Sequence, residues 1–258
     1  MIKVILWALS QVGYLEKKSN KDLDDFVKNA GDKNYTKYAR DLAKTDIFNG
    51  SKQGYAWCTT FAVDCFVESY GLDRAKKMLY LPDKSLAASC RYAVNYYKKA
   101  GQFYIAFPEV GDQIFFSSNG ETPTHTGLIY DVDDKYIYTV EGNTTGANPS
   151  IKNGGGVAKK RYKVNDKYIF GFGRPNYDIV PDDKPVYVPQ IGDKVIYQSN
   201  VHYTNANALT AKTCKPGLAE IKAIYRPGSS RHPYDLWAVK GGGSTVHGWV
   251  DEGTFTKA

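Results

Sequence analysis

Apolar positions recur at helical spacing over the first hundred residues, and in short alternating runs after Gly111. From Cys58 they fall at Phe61, Ala62, Cys65 and Phe66, one stripe of a helix that Gly71 should end in a left-handed stop. Lys3–Leu9 begins an amphipathic first helix ending at Gly13. Ser19 or Asn20 is placed to cap a second, with Leu23, Phe26, Val27 and Ala30 inside it and Gly31 at its end. Asn34–Ala43 should follow with Tyr38, Ala39 and Leu42 inward, and Ser85–Ala100 with Gly101 as its stop.

The pattern then changes to strands. Gly111–Phe116 reads as one, followed by a polar turn through Asn119-Gly120. His125 opens a second, through Tyr130, and Tyr136–Val140 is a third that runs directly into Glu141-Gly142-Asn143. Asn153-Gly154-Gly155-Gly156 precedes no helix and reads as a hairpin loop, not a phosphate loop. Helices followed by strands describe an α+β domain over residues 1–176. A proline-spaced connector, 177–190, should separate it from a small all-β barrel at 191–258. Gly192–Tyr197, Ala219–Tyr225 and Gly248–Asp251 are the barrel's clearest strands.

Candidate chemistry centres on Cys58. A thiol in the first turn of a helix feels the positive end of the helix dipole, which favours thiolate. Unpaired backbone N–H groups lie beside it and can hold an oxyanion. Most free cysteines simply pack, and Cys65 and Cys90 read that way among their apolar neighbours. Cys58 differs because partners follow in the chain. His125 at a strand start can take its proton, and Glu141 or Asn143 at the end of the next strand can orient the imidazole. The Cys58 N–H, with Gln53 or Tyr55 as second donor, would complete an oxyanion hole.

These residues resemble a known family. Ala56-Trp57-Cys58 leading a helix, Val110-Gly111-Asp112, His125-Thr126-Gly127 and Glu141-Gly142-Asn143 occur in the order of the cysteine- and histidine-dependent amidohydrolases/peptidases, the CHAP domain of cell-wall lytic enzymes. The resemblance implies a papain-like core, helices packed on an antiparallel sheet, and a peptidoglycan substrate. It implies an N-acetylmuramoyl-L-alanine amidase or, with the same residues, a stem-peptide or cross-bridge endopeptidase. A non-catalytic wall-binding protein is the alternative of a different class. Some relatives use calcium through acidic residues just before the cysteine. Only Asp46 stands there, among Asn49, Ser51 and Lys52, so no metal or other cofactor is expected.

The C-terminal segment resembles bacterial Src-homology-3-like wall-binding modules, notably at Asp235–Val239 and His247–Val250. Tyr197, Tyr225, Trp237 and Trp249 are its candidate wall-contacting residues. The fusion is similar to a phage endolysin, made in the host cytoplasm and released to the wall through a holin. The apolar run at Lys3–Leu9 agrees with this reading. It stops at Ser10-Gln11 without a small-x-small cleavage site, which is unlike a signal peptide.

Composition narrows the partners. The net charge of +7 invites a nucleic-acid reading. Residues 179–258 hold 9 Lys and Arg against 7 Asp and Glu, so the charge divides as +5 and +2 with no basic run flanked by aromatics. A diffuse positive surface suits an anionic wall, and nucleic acid is not expected. No apolar span is long enough to cross a membrane, and a monomer is expected. The 4 cysteines lack Cys-x-x-Cys spacing, which points to neither zinc nor a redox motif but to free thiols in a reducing compartment. Tyrosine, at 21 residues, suits strands and the flanks of a sugar-binding groove.

Overall fold

Trp57 and Phe61 are the centre around which the N-terminal part folds. Both are fully buried, with Tyr14 and Tyr38 packed on them at ring-centroid distances of 5.1–6.4 Å. The computed structural model describes residues 2–147, 155–180, 189–227 and 229–258. The chain forms two compact units, Met1–Val186 and Tyr187–Ala258.

Five helices belong to the first unit: α1 (Lys3–Ser10), α2 (Lys37–Leu42), α3 (Cys58–Tyr70), α4 (Leu72–Met78) and α5 (Cys90–Lys99). Its sheet holds β1 (Phe103–Tyr104), β2 (Gln113–Phe116), β3 (His125–Val132), β4 (Tyr136–Thr144), β5 (Gly156–Lys163) and β6 (Ile169–Gly173). The strands are antiparallel in the order β1-β6-β2-β3-β4-β5. α3 packs against α1 and α2 and across β3 and β4. Both faces of the sheet are covered. Phe115, Leu128 and Val140 join the helical core, while Ile114, Phe116, Ile129, Ile137 and Phe172 make a smaller cluster. The period of two in strand side chains divides them in this way.

The α+β class is as expected, and α1, α2, α3 and α5 lie within the spans the periodicity predicts. Thr36 caps α2 by accepting from the Ala39 N–H at 3.1 Å. The helix expected after Ser19 does not form. Its polar side chains bond the local backbone instead: Asn29 donates to the carbonyls of Ser19 and Lys21, and Asp25 accepts from the N–H groups of Val27 and Lys28. Such bonds compete with helix, and the segment becomes turns tied to Lys17 by isolated bridges. Gly71 has φ +80 but ψ 160, so it is an extended corner, and its carbonyl accepts from Ala75 in an unanticipated α4. Of the hairpin loop read at 153–156, residues 153 and 154 lie outside the described residues.

The first unit also runs past residue 176. Tyr177–Ile179 form a 3₁₀ turn, Tyr177 donates to the Gly111 carbonyl at 3.0 Å, and Tyr177 and Val180 are buried in the helical core. The remainder of the connector, 181–188, lies outside the described residues.

The second unit is all β. Its strands are β7 (Lys194–Tyr197), β8 (Val201–Tyr203), β9 (Ala211–Thr213), β10 (Gly217–Ile224), β11 (Tyr234–Ala238), β12 (His247–Val250) and β13 (Phe255–Lys257). They form one antiparallel sheet, β13-β7-β10-β11-β12-β8-β9, over a core of Val195, Tyr197, Ile221, Leu236 and Val250. Tyr197 is therefore a core residue, 1% exposed, and cannot contact a wall. In β7 the alternation runs the other way and Ile196 faces out. Tyr225 and Trp237 are over 40% exposed, and Trp249 is half-buried. Trp237 stacks on His247 at 4.2 Å and donates to Asp235, while Tyr225 meets Trp249 edge-on at 6.4 Å.

Candidate active site

Trp57 sets where α3 begins. Its indole N–H donates to the buried Glu16 carboxylate at 2.7 Å and its ring stacks on Tyr38. The next residue, Cys58, is the first of the helix and 5% exposed, at the floor of a cavity of roughly 710 Å³. The Thr59 N–H is directed at its sulfur, as expected at a helix start.

His125 arrives from the opposite side, at the first position of β3. One ring nitrogen, Nε2, lies 2.8 Å from Glu141 Oε2, which leaves Nδ1 for the Cys58 sulfur, with which the imidazole is hydrogen-bonded. Glu141 is fully buried within β4. Its charge is met by His125, by the Thr139 hydroxyl at 2.5 Å and by the Tyr162 hydroxyl. A buried carboxylate requires such donors. Two glycines allow these strands to close in. A Cβ on Gly127 would sit 2.5 Å from Glu141 Cγ, and one on Gly142 would sit 2.5 Å from Phe61 Cβ and 2.8 Å from Trp57. Gly127 thus leaves room for the Glu141 side chain between β3 and β4, and Gly142 lets β4 approach Phe61 and Trp57.

The electrostatics favour a charged pair. The Cys58 thiol is held well below its ordinary range, first by a hydrogen bond from Cys90, against burial, and then by His125. Burial pulls the His125 pKa down, but its bonds with Cys58 and Glu141 outweigh this and push it up to about 10. Both shifts favour thiolate on Cys58 and imidazolium on His125 near neutrality.

The other sequence candidates divide. Asn143 lies at φ +54 and lines a second cavity of roughly 620 Å³ with His125, but among the described residues no hydrogen bond joins it to the imidazole. Gln53 is occupied elsewhere: its amide donates to the Thr36 carbonyl and accepts from the Thr36 N–H, both at 2.9 Å. It anchors the start of α2 and is not among the residues that line the Cys58 cavity. Tyr55, 66% exposed, lines the Cys58 cavity. Among the described residues no cluster of three His, Cys, Asp or Glu could hold a metal, and no helix is long and apolar enough to cross a membrane.

Cys90 is the residue whose role the sequence reading missed. Its sulfur is 3.8 Å from that of Cys58. The predicted helix began at Ser85, which put Cys90 in its interior; α5 in fact begins at Cys90, after Ser89. Ser89 as N-cap was the available signal.

Glu141→Gln follows as a test of the third member. Glutamine removes the charge that stabilises imidazolium, and Asn143 is not bonded to take over. The turnover rate should fall on the order of 10³-fold, by analogy with neutralised triad carboxylates. A loss under about tenfold, measured on purified walls, would show that His125 is oriented by something else.

Residues 50–143, the span that holds Cys58, His125, Glu141 and Asn143, match the family model of the CHAP domain. Two crystal structures of Ly7917, one with the hydrolyzing product of MDP, are similar at 10% identity. Each covers 85% of this chain and 96% of the other, with TM-scores of 0.32 and 0.31. No curated protein matches.

Proposed function

We propose that this protein is a peptidoglycan hydrolase that cleaves an amide bond of the bacterial wall through a cysteine nucleophile. The observation that carries the reading is the Cys58–His125–Glu141 relay, set in a cleft and contained within the CHAP-matching span.

Cys58 Sγ attacks the amide carbonyl, and the Cys58 N–H, with Tyr55 as the candidate second donor, would hold the developing oxyanion. Imidazolium Nδ1–H of His125 gives its proton to the leaving nitrogen as the C–N bond breaks, leaving a thioester on Cys58. Neutral His125 then takes a proton from water, which attacks the thioester and releases the carboxylate. Glu141 holds the ring in place in both steps. All these groups come from one chain, so a monomer suffices.

We favour the N-acetylmuramoyl-L-alanine bond. Tyr55 and Tyr92 flank the Cys58 cavity with exposed rings, a surface suited to the apolar face of a sugar beside the scissile amide. The cavity on the His125 side is polar, lined by Glu16, Asp32, Asn34 and Asn143, and suits peptide. Mass spectrometry of purified walls after digestion tests this. An amidase releases peptides with a free alanine N-terminus and leaves muramic acid with a free lactyl carboxyl. New termini only within the stem or bridge identify an endopeptidase, and unchanged walls identify a binder without activity.

The second unit is read as the wall-binding part, with Tyr225, Trp237 and Trp249 as its contact residues. Trp237→Ala in the full chain should weaken co-sedimentation with walls roughly tenfold, the scale of a lost aromatic anchor. Unchanged sedimentation would remove Trp237 from the contact surface. As a lytic enzyme with a binding unit, the chain fits a phage endolysin that reaches the wall from the host cytoplasm.

A further inference from the structure

The Cys58 cavity holds two thiols, and they touch. Cys58 and Cys90 are each the first residue of a helix, both line the cavity, and their sulfurs are 3.8 Å apart. The two helix starts are fastened together: the Thr59 hydroxyl donates to the Ala88 carbonyl at 2.5 Å. The proposed mechanism uses Cys58 alone. A second buried thiol at van der Waals contact with a nucleophilic sulfur has its own chemistry.

We propose that Cys90 is a resolving thiol for Cys58: peroxide oxidation of the nucleophile closes a Cys58–Cys90 disulfide that silences the enzyme reversibly. This rests on Cys58 being the nucleophile.

In the first step, Cys58 thiolate attacks one oxygen of a hydroperoxide. An S–O bond forms, the O–O bond breaks, and hydroxide leaves; Cys58 becomes sulfenic acid. In the second, the Cys90 sulfur attacks the sulfenic sulfur, the S–O bond breaks, and its oxygen leaves as water with the Cys90 proton. Two thiols have then lost two electrons to one peroxide. A dithiol reductant reverses the change by exchange, becoming a disulfide itself. The sulfurs must approach from 3.8 Å to about 2.05 Å to form the bond.

Reactivity and selectivity follow from the surroundings. The thiolate that makes Cys58 a nucleophile also makes it the sulfur that peroxide attacks. Cys90 is shifted the other way, chiefly by its bond to Cys58 and then by burial, so it stays S–H until sulfenic acid forms beside it. Cys65 cannot substitute: seven residues further along α3, it lies roughly 10 Å away along the axis. Closure would place the nucleophile in a bond it cannot use, and would shield Cys58 from oxidation to the irreversible sulfinic acid.

The test treats the full-length protein with excess hydrogen peroxide, then with dithiothreitol, and compares wild type with Cys90→Ser. Lysis is expressed relative to each protein's own untreated rate. Fragment ions assign the linked cysteine, since trypsin places Cys58 together with Cys65 in the peptide 53–74 and Cys90 in 85–91. In oxidised wild type these should be joined with loss of two hydrogens, lysis should fall at least about tenfold, and the reductant should restore most of it. In Cys90→Ser, Cys58 should proceed to sulfinic acid and at most about a fifth of the rate should return. Wild type that forms no cross-link and recovers no better than Cys90→Ser overturns the proposal. Untreated Cys58→Ser separates the premise: if it lyses walls at the wild-type rate, the nucleophile reading fails; if it is inactive, a missing cross-link counts against the resolving role alone.

Discussion

Cys58→Ala leaves a folded protein that no longer opens peptidoglycan, with turnover reduced on the order of 10⁶-fold, the scale found when a triad nucleophile is removed. No other described group can replace it. Cys65 is fully buried in the core, and Cys90 is held as S–H beside Cys58, without an imidazole bonded to it among the described residues. Truncation to alanine deletes one sulfur from a site that opens onto the cavity, so the helical core around Trp57 and Phe61 stays packed. Circular dichroism and a melting curve close to wild type, together with lysis at background, are the expected pair of results. A folded Cys58→Ala protein with more than about a hundredth of the wild-type rate would remove cysteine catalysis from consideration.

His125→Ala should be nearly as severe. In the proposed mechanism imidazolium supplies the leaving group's proton, and it helps hold the sulfur as thiolate. Its loss also leaves the Glu141 carboxylate without its His125 hydrogen bond, retaining those from Thr139 and Tyr162. A fall on the order of 10⁵- to 10⁶-fold is expected. The double variant, Cys58→Ala with His125→Ala, should be no slower than either single one, because the two act as a unit. Multiplying effects would mean that the residues work independently, and the relay would have to be abandoned.

Much of the geometry was legible because it depends on periodicity. The stripe from Cys58 to Phe66 fixes a helix start, and His125 and Glu141 lie on consecutive strands that pair antiparallel, Leu128 opposite Val140. What was not legible depends on contacts between distant segments. Gln53 has a donor's chemistry, but Thr36, seventeen residues earlier, occupies it. Tyr197 differs from Ile196 only in which face of β7 turns inward, which a four-residue strand does not reveal. Cys90 was hidden by a helix boundary misplaced by five residues. The helix read after Ser19 failed because Asn29 and Asp25 satisfy the local backbone more directly than a helix would. Glu141 rather than Asn143 bonds the imidazole: the regular pairing of β4 with β5 runs to Glu141, and Asn143 sits at positive φ in the register shift that follows.

The central claim is that Cys58 and His125 form a thiolate–imidazolium pair, and it predicts a pH profile. The pair exists between two apparent ionisations that belong to it jointly. Thiolate is lost on the acid side, well below the usual thiol range, and imidazolium is lost near pH 10. Lysis should therefore be maximal through neutrality and fall in strong acid and above about pH 10. The most direct measurement is the rate of Cys58 alkylation by iodoacetamide against pH, read from fragment ions of peptide 53–74 that separate Cys58 from Cys65, with lysis followed in parallel. The account predicts fast labelling of Cys58 that persists far below pH 8, with activity lost in step with one label. Labelling that rises only near pH 9, like a free thiol, or fully labelled protein that still lyses walls, would contradict it.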